Sequence, residues 1–167
     1  MKKAIFNPLH KGKIVDLDVS KYVDETAFVV KLIERHVEES KVDIKNATVV
    51  VAGGFGVGSV ENFGLLYELA ALIGGEVGAS RAAIDAGYVG HERQIGQTGI
   101  TVRPKLYIAC GISGQIQHLS GMLDSSIIIS INNDPNAPIN KIANYVIQGK
   151  VDTVIPKMIK YYKENTK

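Results

Sequence analysis

The chain has 167 residues, of which 46% are hydrophobic and 22% charged, with a net charge of +2. That length suits one compact domain able to bury a core without disulfides. The near-neutral balance, without a basic stripe, argues against nucleic-acid binding. One cysteine, Cys110, rules out an internal disulfide or a multi-cysteine metal site. The absence of a long apolar run argues against membrane insertion and against a signal peptide, so the expectation is a cytoplasmic protein.

Taken in chain order, residues 1–20 carry no strong pattern, and Lys2, Lys3, Lys11 and Lys13 read as a solvated tail. Glu25 to Glu39 predicts an amphipathic helix, with Phe28, Val29, Leu32, Ile33 and His36 near one face. Residues 1–46 are therefore expected to form an N-terminal extension whose helix packs on the domain, and residues 47–167 the α/β domain itself. Asn46 to Ala52 is an apolar, β-branched run ending at Gly53-Gly54, which predicts a buried parallel strand. A helix follows from Ser59 to Ile73 and stops at Gly74-Gly75.

The alternation continues. Glu76 to Ala79 predicts a short strand, Arg81 to Ala86 one or two helical turns, Lys105 to Cys110 a strand, and Gly114 to Leu119 a short helix. Ser126 to Asn132 predicts a buried strand. Pro138 to Val146 predicts a helix with proline in its first turn. Asp152 to Ile155 predicts a last strand, and Pro156 the start of a C-terminal helix. The fold class expected is α/β: a single open, mostly parallel sheet with helices on both faces, Rossmann-like.

In such sheets ligands bind beyond the carboxyl ends of the strands. Four glycine-rich segments fall on that edge: Gly53 to Ser59, Gly78 to Arg81, Gln94 to Thr98 and Gly111 to His118, with Asn132 as a fifth position. The first contains no Gly-Lys-Ser/Thr and misses the G-x-G-x-x-G spacing, so phosphate binding and simple tight packing both remain open. In the fourth, a strand runs into Gly111 and Ser113-Gly114 opens a helix, whose N–H groups suit an anion or a flavin edge. His118 reads either as structural or as part of that turn. Arg81 suits a surface ion pair or an anionic ring. Gln97 and Thr98 suit hydrogen bonds to a heteroaromatic ring or an ordinary turn. Ser113 lacks the G-x-S-x-G frame, Cys110 reads as a packed core thiol, and four scattered histidines give no metal-ligand spacing. No catalytic or metal-binding residue is expected.

Together these stretches carry a resemblance. Val49 to Gly54, Glu61 to Phe63, Gly78 to Gly87, Gln94 to Gly99, Lys105 to Gly114, Ile116 to His118 and Ile131 to Pro135 resemble, in order and spacing, the C-terminal FAD-binding domain of the electron transfer flavoprotein α subunit. The resemblance spans residues 47–156. It implies an electron carrier rather than an enzyme, with FAD as cofactor. It also implies an electron transfer flavoprotein β subunit, a dehydrogenase donor and an electron-acceptor protein as partners. Carried over by position, Ser80 and Arg81 lie by the flavin ring, and the arginine stabilises charge that develops on reduction. Ile95, Gly96, Gln97 and Thr98 approach the ring, with the Thr98 hydroxyl near N5. Ser113, Gly114, Gln115, Ile116, Gln117 and His118 wrap it, with His118 facing the C2 carbonyl. Asn132 contacts the adenosine half.

Two positions depart from the pattern. Phe55 stands where the family usually has arginine, and Lys150 where it often has an acidic residue. The family's α subunit also carries a domain ahead of this one, which implies an isolated domain or an unusually short gene product. Separated from its partners, such a domain would expose apolar surface, and a homodimer of the isolated domain is one way to cover it. A nucleotide-binding module for a different cofactor and a cofactor-free interaction domain are the alternative functions.

Overall fold

The structure is a computed structural model that describes residues 15–18, 22 and 43–166. The chain divides into two units, residues 1–38 and 39–167. In the first, the described residues belong to no helix or strand. The helix expected at Glu25–Glu39 lies outside the described residues.

The second unit holds five strands: β1 (Val49–Gly53), β2 (Glu76–Ala79), β3 (Leu106–Cys110), β4 (Ile127–Asn132) and β5 (Tyr145–Gln148). Between them run α1 (Val60–Ile73), α2 (Arg81–Asp85) and α3 (Ile116–Leu119), and α4 (Val151–Asn165) closes the chain. Every pairing is parallel, and the order is β2-β1-β3-β4-β5. The expected α/β architecture is therefore what the chain adopts.

Alternate residues along each strand feed two apolar layers. On one face Val51, Ile108 and Ile131 meet Phe63, Leu66 and Leu69 of α1 and Val151, Ile155 and Ile159 of α4. On the other, Val50, Ala52, Tyr107 and Ala109 meet Ile44, Ile95, Val102, Met122 and Ile139, so that side is covered by α3 and by connecting segments rather than by long helices. Helix α1 sits where its end signals place it. The Ser59 hydroxyl accepts a hydrogen bond from the Asn62 N–H at 3.2 Å, and Gly74 ends the helix in the left-handed region at φ 68°. Among the described residues no helix is long and apolar enough to cross a membrane.

Two expectations are corrected. Pro138–Val146 is not a helix: a 3-10 turn spans Pro138–Lys141, and β5 follows. The helical spacing of Ile139, Ile142, Ala143 and Val146 is broken at Asn144. Its N–H donates to the Ile128 carbonyl at 2.8 Å, and its Oδ1 accepts from the Ile128 N–H at 2.7 Å. These bonds fasten the chain to β4, and strand pairing decides the conformation.

Asp152–Ile155 is not a strand, and Pro156 does not begin the last helix. Both lie within α4, which starts at Val151. The β-branched run is biased against a helix by a few tenths of a kcal/mol per residue, roughly. Burial of Val151, Ile155 and Ile159, four residues apart on one face against α1, outweighs that bias.

Because Pro156 is exposed and interior to α4, it deprives the Asp152 carbonyl of an intrahelical donor. Pro156→Ala should raise unfolding stability by about 1–3 kcal/mol in urea titration. A proline at the true start of a helix would instead give no gain.

Candidate functional site

The sheet order reverses direction between β1 and β3, since β2 lies on one side of β1 while β3, β4 and β5 lie on the other. The loops leaving those two strands diverge there and leave a crevice at the carboxyl edge. They are tied together at its base. The Gly54 N–H donates to the Cys110 carbonyl at 2.8 Å, and the Gly56 N–H to the Gly111 carbonyl at 3.0 Å. Side chains are excluded from this contact: a Cβ on Gly54 would lie 2.2 Å from the Gly111 oxygen. Gly111 also needs φ +62°, and a Cβ there would lie 2.6 Å from the Gly56 carbonyl carbon. The N–H groups of Val57 and Gly58 close the turn back onto Gly54 and Phe55. Of the two readings open for the first glycine-rich segment, close packing is the one this geometry supports.

Above that base lies a cleft of about 550 Å³. Its lining includes Ser80, Arg81, Ile95, Gly96, Gln97, Thr98, Ser113, Gly114, Gln115, Gln117, His118 and Asn132, so twelve of the thirteen expected site residues meet in one hollow. Ile116 does not line it; that side chain sits on the outer side of α3 and is 75% exposed. Phe55, Gly56, Gln94, Gly111 and Ile112, from the glycine-rich segments on that edge, also line the cleft, as do Ala82, Asp134 and Ala137, which lie outside those segments.

Each segment is held in its own way. Ser80 caps α2, its hydroxyl accepting from the Ala83 N–H at 3.4 Å, and this leaves Arg81 at the rim. The Arg81 side chain is 71% exposed, and its guanidinium is only loosely paired with Asp85, at 3.4 Å. An exposed pair of this kind is worth well under about 1 kcal/mol, so the cation is free to re-aim.

Residues 94–100 form a compact turn. The Ile95 N–H donates to Ala79 at the end of β2, the Gln97 N–H donates to the Gln117 carbonyl at 2.7 Å, and the Ile100 N–H returns to Gln94. The buried Gln94 carboxamide donates through Nε2 to the Thr98 hydroxyl at 3.0 Å. The Phe55 ring lies at the rim, 62% exposed and stacked on Tyr88 with 6.1 Å between centroids.

The turn after β3 carries the donors. Among the described residues no partner serves the N–H groups of Ser113, Gly114 or Gln115, three residues that line the cleft just ahead of α3. Gly114 adopts φ +86° with its backbone pressed on Ile139, where a Cβ would approach to 2.5 Å. Asn132 fixes this turn from β4: its Nδ2 donates to the Ile112 carbonyl at 2.8 Å, and its Oδ1 accepts from the Asp134 N–H. Successive amides free of internal partners are a nest for an anion or for carbonyl oxygens.

His118 forms the floor and is nearly buried. Its Nδ1 lies 3.1 Å from the Ile95 carbonyl, which can only accept, so Nδ1 carries the hydrogen. Nε2 is then the acceptor for the Tyr107 hydroxyl, 2.9 Å away. Burial holds the imidazole at about 4, against an ordinary 6.5, and pushes the Tyr107 phenol well above its usual range and the Cys110 thiol up to about 12. Both ring nitrogens therefore tie α3, β3 and the 94–100 turn together. No group of three or more His, Cys, Asp or Glu among the described residues is placed to hold a metal ion.

Comparison with known proteins points the same way as the geometry. Residues 43–123 match the family model of the electron transfer flavoprotein FAD-binding domain. The electron transfer flavoprotein subunit alpha of Thermoanaerobacterium thermosaccharolyticum is 46% identical over 165 residues, 98% of this chain and 49% of that protein. The subunit of the same name from Clostridium acetobutylicum is 61% identical over 117 residues, 70% of this chain and 35% of that protein. In Bacillus subtilis the figures are 47% over 153 residues, 92% and 46%. The chain thus spans about half the length, or less, of the curated relatives it matches. The Thermoanaerobacterium match also reaches well into the first 46 residues, beyond the span of the resemblance read from the motifs.

The buried imidazole has a consequence for stability. As pH falls through 6.5 the unfolded chain takes up a proton at His118, while the folded ring stays neutral until about 4. The unfolded state binds more protons in that window, so stability is complete above it and declines as pH drops through it. His118→Gln removes this contribution. In urea titrations the stability gap between wild type and variant should narrow by about 2 kcal/mol from pH 7.5 to pH 4.5. A constant gap would mean that the ring is not held neutral.

Proposed function

We propose that this chain, which belongs to the electron transfer flavoprotein α family, holds FAD in the cleft at the carboxyl edge of its sheet and serves as an electron carrier. The observation that carries the reading is the convergence there of three kinds of donor on a hollow with apolar walls. They are the free N–H groups of Ser113 to Gln115, the Arg81 guanidinium and the Thr98 hydroxyl. An isoalloxazine ring has an edge of nitrogen and oxygen acceptors, flat apolar faces and a diphosphate at the end of its side chain. The donor set fits the acceptors, and Ile95, Ile112 and Ala137 supply apolar contact.

When bound, FAD supplies reversible uptake and release of electrons. The chain's own residues bind and orient it. Arg81 swings from its weak pairing with Asp85 toward negative charge on the ring. The amides of the 113–115 turn act as fixed dipoles that need no reorganisation when charge develops. With both nitrogens of His118 engaged and its ring neutral, it braces the floor rather than exchanging protons. No residue of the cleft is assigned to transform a substrate. A dehydrogenase as donor, a separate acceptor protein and a β subunit covering the cleft complete the proposal.

The direct test is the visible absorption of purified protein after FAD is added and free nucleotide removed. Retained flavin, released intact on denaturation, is the expected result. A colourless protein, with or without a β subunit present, would overturn the reading.

In the flavin-loaded protein Arg81→Ala should lower the reduction potential. The loss of ~1–2 kcal/mol of charge stabilisation corresponds to roughly 20–45 mV for a two-electron couple. An unchanged potential in redox titration would remove Arg81 from this role.

A further inference from the structure

We propose that Gln94 is a positioning residue that fixes the Thr98 hydroxyl as a hydrogen-bond donor toward the ligand of the cleft. This rests on the FAD reading above and assigns a cause to one of its contacts. A hydroxyl has one hydrogen and two lone pairs, and left alone it rotates to suit whatever faces it. A carboxamide nitrogen can only donate. Because Gln94 Nε2 sits 3.0 Å from Thr98 Oγ1, it occupies a lone pair and leaves the hydrogen to point elsewhere. Thr98 lies on the exposed side of its turn and lines the cleft, so elsewhere is the cleft.

Gln94 has little freedom to do otherwise. The residue is 3% exposed. Its N–H donates to the His91 carbonyl at 3.1 Å, and its carbonyl accepts from Ile100 at 2.7 Å, so the backbone is clamped on both sides. Gly99 completes the turn, since a Cβ there would lie 2.3 Å from the Gln94 oxygen and 3.1 Å from its Cγ. The carboxamide is thus a rigid donor held against a mobile hydroxyl. An acceptor atom on the bound ring meets a hydrogen already aimed at it.

The test is a double-mutant cycle on FAD affinity, read by quenching of flavin fluorescence, using wild type, Gln94→Glu, Gln94→Leu, Thr98→Val and the pair Gln94→Glu with Thr98→Val. Thr98→Val should weaken binding by about 3- to 10-fold, as expected for one hydrogen bond. Gln94→Glu keeps the shape but can only accept, so it draws the hydroxyl hydrogen away from the cleft and should weaken binding at least as much. Part of that loss is the added charge, which persists in the Thr98→Val background. The part acting through Thr98 vanishes there, leaving a coupling of about 3-fold or more. Gln94→Leu frees the hydroxyl to rotate and should cost less affinity than Gln94→Glu, although it loses the same hydrogen bond.

Equal losses from Gln94→Glu in both backgrounds would overturn the proposal. So would a loss from Gln94→Leu as large as that from Gln94→Glu, because Gln94 would then only brace its loop. A ligand-free measurement judges the contact itself: the Gln94 side-chain NH2 resonances should shift in Thr98→Val. If they do not, the proposal fails whatever the chain binds. Wild-type protein that ignores FAD while the resonances shift sinks the FAD reading, and with it the role toward this ligand.

Discussion

Everything at the carboxyl edge depends on one backbone contact, the meeting of the loops after β1 and β3. Two hydrogen bonds, from Gly54 to Cys110 and from Gly56 to Gly111, join chain segments more than fifty residues apart in sequence. They form only because Gly54, Gly56 and Gly111 present no side chains to one another. This contact closes the base of the crevice that the reversal of strand order opens. A methyl group at any of the three would force the loops apart and widen the cleft at its floor.

Around that base the polar groups divide into two sets. Some are committed inward: Ser80 to its helix cap, Asn132 to Ile112 and Asp134, and His118 to Ile95 and Tyr107. The others face the hollow: backbone amides, the Thr98 hydroxyl and the Arg81 guanidinium. The division follows from burial, since a polar group cut off from water must find a partner within the protein. Among the described residues no fully buried side-chain nitrogen or oxygen lacks one. The inward set thus makes the walls stiff, and the outward set is left for a ligand.

This division also explains what the sequence could and could not reveal. Helix α1 was legible because Ser59 and Gly74 mark its ends through local chemistry. The strands β1, β3 and β4 are legible because a parallel strand buried on both faces reads as a near-continuous apolar run. The cleft segments were legible because strand ends rich in glycine are where backbone can approach a ligand. Strand β5 and helix α4 are not legible in the sequence because their conformations are decided by distant partners, Ile128 for the former and the apolar face of α1 for the latter.

Ile116 sits within a motif, and letters in a row do not say which side of a one-turn helix faces inward. Gln94 belongs to a segment that the sequence already sets on the ligand edge, but its side-chain bond to Thr98 is visible only in the fold. The bracing of His118 by Ile95, 23 residues away, and by Tyr107, 11 residues away, leaves no local trace.

The titration behaviour of the floor bears on how charge is managed. Burial keeps His118 neutral until about pH 4 and Cys110 protonated until about pH 12, and it likewise pushes the Tyr107 phenol well above its ordinary range. None of the three changes charge near neutral pH. Among the described residues lining the cleft, Arg81 is the one permanent cation and Asp134 the one carboxylate. A ligand that gains negative charge there can be answered in two ways, by the fixed amide dipoles of the 113–115 turn and by movement of Arg81. The dipoles respond without rearrangement, because their backbone is pinned by Gly114 against Ile139 and by Asn132. Arg81 starts in a solvent-screened pair of little strength, so moving it costs little and contributes correspondingly little until water is excluded. A second protein surface over the rim would strengthen both terms at once. That is a physical reason for the proposed carrier to work beneath a covering subunit rather than alone.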